Sequence, residues 1–452
     1  MKLTKIATSA FALTLTTAAL RADVSVEITG ATAYRQAVLN TIKARFDASG
    51  VAYRYAHDQA AGSFNLSTRA IFKGTFPGIS GVTTIRTSFN GSVEGIDALV
   101  NSPSANPTYY TDIAGNLVTP AAINGGETHT STPGFAKTTA AAQSDIAFSD
   151  VSKAVTPFAA APLVTPTGGS SVGVVVFTMI ANEGSPLTNI SSQQFRALFT
   201  KGFQPLSLFT GVSADDPAAP APSTNAQYIF ATGRNDGSGT RTTYLAETGY
   251  GVTELVNQYI ATATSGDTIT TLRLVPAGNG ANASTVWGQD VDGNGGYSSG
   301  STLRGDMARE TGSVTVLDAT DTDAFAGPIK LSLVTFLSLG DAVSSRGTVL
   351  NEGGKFLSFN GVGLTTMSSV TANNDINHAT NAADKAKVTS GAYTAWSYQN
   401  MYLRAGLSSG DEFSIANSLK TNLNTGTTLG SAGIKIGDMA AGRETDGGTV
   451  AP

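Results

Sequence analysis

The sequence predicts an α/β protein, and three observations carry that prediction. Short apolar strands run repeatedly into small-residue turns and then into helix starts, the pattern of a mainly parallel sheet flanked by helices. Two long, nearly unbroken apolar runs, at 172–182 and 329–339, suit strands buried on both faces. The chain of 452 residues is long enough for two lobes with separate cores.

The most informative of these units runs from 228 to 249. The apolar strand Tyr228-Ile229-Phe230-Ala231 leads into Arg234-Asn235-Asp236-Gly237-Ser238-Gly239-Thr240-Arg241, and a helical pattern follows to Gly249. Glycines let backbone approach a ligand closely. The first N–H groups of a helix lack internal partners and carry partial positive charge. Ser238 and Thr240 add hydroxyls, and Arg234 adds a planar fork of donors. Together they form a cradle for an anion; the alternative is a polar surface turn with a capping serine. Asp236 repels an anion, so its expected role is to orient Arg234.

The same architecture recurs upstream. The alternating strand Val24-Ser25-Val26-Glu27-Ile28 turns at Thr29-Gly30-Ala31-Thr32-Ala33 into a helix whose Val38, Leu39, Ile42 and Phe46 share one face. The strand 83–89 meets Asn90-Gly91-Ser92 and a helical run through Ile96, Leu99 and Val100. A third strand, 144–151, closes with Ser149-Asp150.

In this order the motifs resemble the phosphate-binding proteins of bacterial ABC transporters. R-x-D-G-S-G-T at 234–240 is the specific part, and the likeness extends over roughly 24–420 with insertions. The resemblance implies a two-lobed, type II periplasmic-binding-protein-like fold with lobes joined by two crossing strands. Lobe one would take 23–171 and 341–452, with a surface insertion at about 101–142, and lobe two 172–340. It implies phosphate ligands at Thr32, Ala33, Ser92, Asp150, Arg234, Ser238, Gly239 and Thr240. Val93-Glu94, following Ser92, departs from the family's small residues, and Glu94 must point away from an anion. Asp150 takes the role of selector: phosphate near neutral pH keeps a proton for a carboxylate to accept, whereas sulfate has none and would be repelled. P-L-T-N-I-S at 186–191 and the helical 193–201, with Phe195, Leu198 and Phe199 on one face, resemble the entry to lobe two.

Composition limits the function. Formal net charge is −5 with 13% charged residues, so nucleic acid is not an expected partner. There is no cysteine, which removes disulfides, thiolate chemistry and a lipidated cysteine anchor. His57, His129 and His378 are the three histidines, too few and too scattered for a zinc cluster or a serine triad. Asp290-Val291-Asp292-Gly293-Asn294-Gly295 opens like a calcium loop, but Ser301 stands where the closing glutamate belongs, so a glycine-rich turn is expected. Residues 1–22 read as a secretory signal, with Lys2, Lys5, an apolar 6–20 and a small-residue site at Ala22. The resulting expectation is an exported, periplasmic or extracellular monomer that does not span the membrane, binds inorganic phosphate without cofactor or metal, and serves a membrane ABC permease. The competing readings are a secreted phosphatase, for which Ser92 or Ser238 lacks a visible activating base, and a structural protein on the same fold. Two further expectations concern local structure: a helix over 252–260, and a mobile polar tail after Gly442.

Overall fold

A computed structural model describes residues 23–60, 62–111, 126–128, 138–220, 227–276, 286–344, 354–369, 371–430 and 433–452. The signal-like 1–22, His129 and most of the 101–142 insertion lie outside them. Flanking the undescribed parts of the insertion, Thr108–Tyr110 pairs antiparallel with Thr139–Ala141.

Three strands form the parallel heart of the first part of the chain. Val24–Gly30 lies between Thr83–Ser88 and Ile146–Ser149 and is parallel to both. Its apolar residues Val26 and Ile28 are fully buried. Parallel strands side by side bring their C-terminal ends to one edge. The turns leaving that edge carry Thr32, Ser92 and Asp150. A second parallel pair, Tyr228–Ala231 with Ile329–Ser338, sends Arg234 and Asp341 off its own C-terminal edge.

The sheet is mixed rather than mainly parallel. The apolar strand Ser171–Ala181 runs antiparallel to Ile329–Ser338, Lys355–Phe359, Trp396–Leu403 and Gly433–Ile434. A continuous apolar run reports burial on both faces, and that burial is compatible with either direction of pairing. The parallel rule survives for the strands that deliver the site residues.

Helix Ser192–Lys201 forms where its sequence asks for it. Ser191 and Gln194 make a reciprocal capping box, and Gly202 ends the helix in the left-handed region at φ 86°. Phe195, Leu198 and Phe199 are all fully buried; Phe195 stacks on Tyr244 of the 239–247 helix and Phe199 packs near Phe336. A separate core gathers Ile180, Phe230, Leu272, Leu303, Val316 and Leu333.

Two local expectations fail. No helix spans 252–260; Tyr259–Ser265 is instead a strand paired antiparallel with Thr268–Leu274. The run Y-I-A-T-A-T-S is rich in β-branched and aromatic residues, which fit a pleated surface better than a helix. The tail after Gly442 is packed. Arg443 donates to Glu247 Oε2 at 2.7 Å and to the Thr394 carbonyl at 2.7 Å, with its guanidinium 4.3 Å from the Trp396 ring centroid. Asp446 accepts the Ser152 amide at 2.6 Å. The tail thus straps the far end of the 239–247 helix and the turn just after Asp150. Polar residues order a tail when each buried charge finds a partner. Replacing Arg443 with alanine leaves Glu247 buried without its cation, so a thermal or denaturant melt should show destabilisation of about 3 kcal/mol, and an unchanged melt would contradict a packed strap.

Candidate functional site

Every loop of the predicted cradle reaches the same place. Arg234 is 2% exposed and three of its donors are directed: Nε to the Tyr297 carbonyl at 2.9 Å, Nη2 to the Ser298 carbonyl at 2.9 Å, and Nη1 to Thr32 Oγ1 at 3.3 Å. That last bond joins residues 202 positions apart.

Asp150 faces the same point and is buried. One carboxylate oxygen accepts from the Ser92 hydroxyl and the other from Thr240 Oγ1 at 3.3 Å. The Ser92 hydroxyl in turn accepts the Asp150 amide at 3.1 Å. Burial pushes the Asp150 carboxyl above the usual carboxylate range, opposed by Ser92, Arg234 and Thr240. The Asp150 carbonyl is held by the Ser397 and Thr243 hydroxyls, so the acid is fixed at both ends.

Gly239 begins the helix Gly239–Glu247 and lies flush against this acid. A Cβ there would sit 1.6 Å from Asp150 Oδ1 and 2.6 Å from the Ser92 Cβ. The two glycine turns also touch: the Val93 amide donates to the Gly237 carbonyl at 3.0 Å, and a Cβ on Gly91 would lie 2.5 Å from that oxygen. Backbone from 91–93 and 237–239 can therefore crowd together only without side chains. Ser238 caps the helix, accepting the Arg241 amide at 3.4 Å. Ala33 follows Thr32 in the turn Thr32–Tyr34 and is partly buried against the core.

The bonds that orient Arg234 come from the carbonyls of 297 and 298. Asp236 receives the Trp287 amide at 3.4 Å, while its own carbonyl accepts from Trp287 Nε1 at 3.1 Å. Its charge acts on Arg241, whose pKa burial lowers to about 10. Arg241 donates to both the carbonyl and the side chain of Asn294. The calcium-like turn 290–295 is therefore a clamp for the Arg234 loop, and Gln258 adds to it by donating to the Arg234 carbonyl at 3.0 Å. Among the described residues no group of three or more His, Cys, Asp or Glu can hold a metal ion.

Sequence reasoning did not assign the segment 297–300 to the site. It pairs with Arg234 through a parallel bridge to Tyr297. Nor did it single out Arg35 and Asp341, both buried and joined by a 3.4 Å ion pair. The available signal was Asp341 itself, a polar residue just beyond an apolar strand, as Asp150 is.

Glu94 does not point away. Its Oε1 accepts from Asn235 Nδ2 at 3.3 Å, and its stem packs on Gly237. Burial raises its pKa to about 7, with Asp236 and Asp97 adding to the rise and Arg234 and Asn235 opposing it. A carboxyl with a raised folded pKa keeps its proton longer when folded. Its favourable contribution is present at low pH and lost as pH rises from about 4.5 through about 7. Glu94→Gln should therefore raise stability by less than about 1 kcal/mol at pH 5 and by about 3 kcal/mol at pH 8. Parallel melts at the two pH values check this, and equal shifts at both would contradict it.

No family model and no curated protein matches the chain. Solved structures do resemble it. The chain is similar to phosphate-transporter receptors. They include a Clostridium perfringens protein solved with bound phosphate (11% identity, 91% of this chain and 99% of that one, TM-score 0.40). An ABC-type phosphate transport receptor from Vibrio cholerae matches at 11% identity over 88% and 93%, with TM-score 0.37. PstS from Borrelia burgdorferi matches at 12% identity over 91% and 99%, with TM-score 0.35. Among the described residues no helix is long and apolar enough to cross a membrane.

Proposed function

We propose that the chain is an exported solute-binding protein that captures hydrogen phosphate in a cleft between two lobes and delivers it to a membrane ABC permease. Lobe one is 23–171 with 341–452, lobe two is 172–340, and the strands Ser171–Ala181 and Ile329–Ser338 cross between them. The observation that carries this reading is the meeting of Thr32, Ser92, Asp150, Arg234, Gly239 and Thr240, delivered by four separate strand ends. A guanidinium, hydroxyls, two helix starts and one acid match a tetrahedral oxyanion that still bears a proton.

Arg234 supplies charge and a fork of donors. Thr32, Ser92, Ser238 and Thr240 supply hydroxyls, and the backbone at Ala33 and Gly239 supplies N–H groups. Ser92 and Thr240 now donate to Asp150 and turn to the ligand when it enters. Asp150 then accepts the ligand's proton. Lobe closure buries the anion and excludes water.

Isothermal titration calorimetry of the purified protein with phosphate and with sulfate tests the reading. Phosphate should bind at least about a hundredfold tighter, because sulfate leaves a buried carboxylate facing an oxyanion with no shared proton. Absence of phosphate binding, or equal affinity for both anions, would overturn it.

A further inference from the structure

The helix Gly239–Glu247 is held at both ends, and the two holds differ in kind. Its start meets Asp150 through Gly239 and Thr240, and Thr243 donates to the Asp150 carbonyl at 3.3 Å. Those contacts belong to the candidate site. Its far end meets the loop 443–450. Arg443 donates to Glu247 Oε2 at 2.7 Å. Gly447, at φ 71°, lies so close to the helix that a Cβ would fall 2.4 Å from the Ala246 carbonyl oxygen and 2.9 Å from the Ala246 Cβ. Both its backbone conformation and its packing therefore require glycine.

The loop is rooted elsewhere. Gly442 and Ala451 exchange both backbone hydrogen bonds, at 2.7 and 2.9 Å, which closes its base. The Ala440 and Ala441 amides donate to the Thr389 carbonyl at 2.9 and 3.0 Å, and a Cβ on Gly391 would lie 2.4 Å from Val450 Cγ1. Arg443 also donates to the Thr394 carbonyl, and Asp446 accepts the amide of Ser152, two residues past Asp150. In the division of lobes given above, Ser152, Thr389, Gly391 and Thr394 belong to lobe one, whereas Ala246 and Glu247 belong to lobe two. The tip of the loop thus crosses from one lobe to the helix of the other, at the end of that helix remote from Gly239. A charge-assisted bond and a contact this tight are both lost once the surfaces part by about 1 Å.

We propose that the loop 443–450 is an interlobe brace: it grips the far end of the helix Gly239–Glu247, resists parting of the lobes, and so slows the escape of bound ligand. This rests on the two-lobe reading above, but not on which anion fills the site. Hinge opening carries the helix off Asp150 at one end and off Gly447 and Arg443 at the other. The first contact rearranges when a ligand enters, because Ser92 and Thr240 turn to it. The second involves no ligand group, so it adds a fixed bias toward the closed form. Association begins from the open form, and the bias is therefore read in the dissociation rate.

The test measures lobe separation and ligand release on the whole protein. The chain has no cysteine, so Thr264→Cys in lobe two and Thr421→Cys in lobe one, both at exposed positions, take spin labels at those two points alone. Double electron–electron resonance without phosphate compares this background with versions that add Gly447→Ala, Glu247→Gln or Gly50→Ala, each first checked for a cooperative melt. Glu247→Gln is the milder brace variant, since it keeps an acceptor for Arg443. Gly50, at φ 66° with open space around it, brings the same backbone strain away from the brace and controls for simple loss of stability. Gly447→Ala should add a second interlobe distance and release radiolabelled phosphate at least about tenfold faster, with association changed by less than about threefold. Glu247→Gln should move both readings the same way, and Gly50→Ala should move neither. An unchanged distance distribution or release rate in the brace variants, or the same effects from Gly50→Ala, overturns the brace and leaves the phosphate reading standing. A wild type that binds no phosphate overturns that reading, and the distance measurement then decides the brace alone.

Discussion

Arg234→Ala should weaken phosphate binding by about 30-fold to 3,000-fold, the range expected when one partner of a buried, hydrogen-bonded charge pair is truncated. The loss has two parts. The ligand loses a directed fork of donors. The empty site also loses a cation whose charge acts on Asp150 and Asp341, and the carbonyls of Tyr297 and Ser298 lose their donor. Stability should therefore fall as well, by about 3 kcal/mol. Arg234→Lys separates the contributions, since it keeps the charge but not the planar fork. It should recover stability better than affinity. Calorimetry and a denaturant melt on both variants measure this, and an alanine variant that binds phosphate as wild type does would remove Arg234 from the site.

The second large effect is at Gly239, where local propensity and packing disagree in sign. The position is the first turn of a helix, and its backbone is not in the left-handed region that favours glycine. Propensity alone says that alanine should stabilise by about 1 kcal/mol. The packed structure says the reverse, because the new methyl would fall 1.6 Å from Asp150 Oδ1 and 2.6 Å from Ser92. The acid and the serine turn must both shift, and overpacking of this kind costs about 1–3 kcal/mol. Gly239→Ala should lose phosphate affinity by at least about a hundredfold and melt earlier. A variant that is more stable and binds normally would show that the 239 turn and Asp150 do not meet as described.

Much of this arrangement was legible in the sequence, for local reasons. Strand, small-residue turn and helix start are all encoded within about a dozen residues, so the turns at Thr32, Ser92 and Arg234 could be found one by one. Phe195, Leu198 and Phe199 marked a buried face by spacing alone. The residues that escaped depend on distant partners. Arg35 meets Asp341 across 306 positions, and nothing next to either residue announces the other. The turn at 290–295 resembled a metal loop because its amide and acid side chains suit both metal ligation and turn formation; here Asn294 receives Arg241. The tail was misread because polarity suggested solvent, while Arg443 finds Glu247 and the Trp396 ring, and Asp446 finds the Ser152 amide. Glu94 was expected to turn outward from an anion. Burial instead gives it a proton near neutrality, which makes its presence near Asp236 tolerable.

A crystal structure of the protein grown with phosphate tests the central claim most directly. The account predicts tetrahedral density within hydrogen-bond reach of the Arg234 guanidinium, the Ser92 and Thr240 hydroxyls and the Gly239 amide, with one oxygen facing the Asp150 carboxylate. Phosphate bound elsewhere on the molecule, with these groups still bonded only to one another, would contradict it.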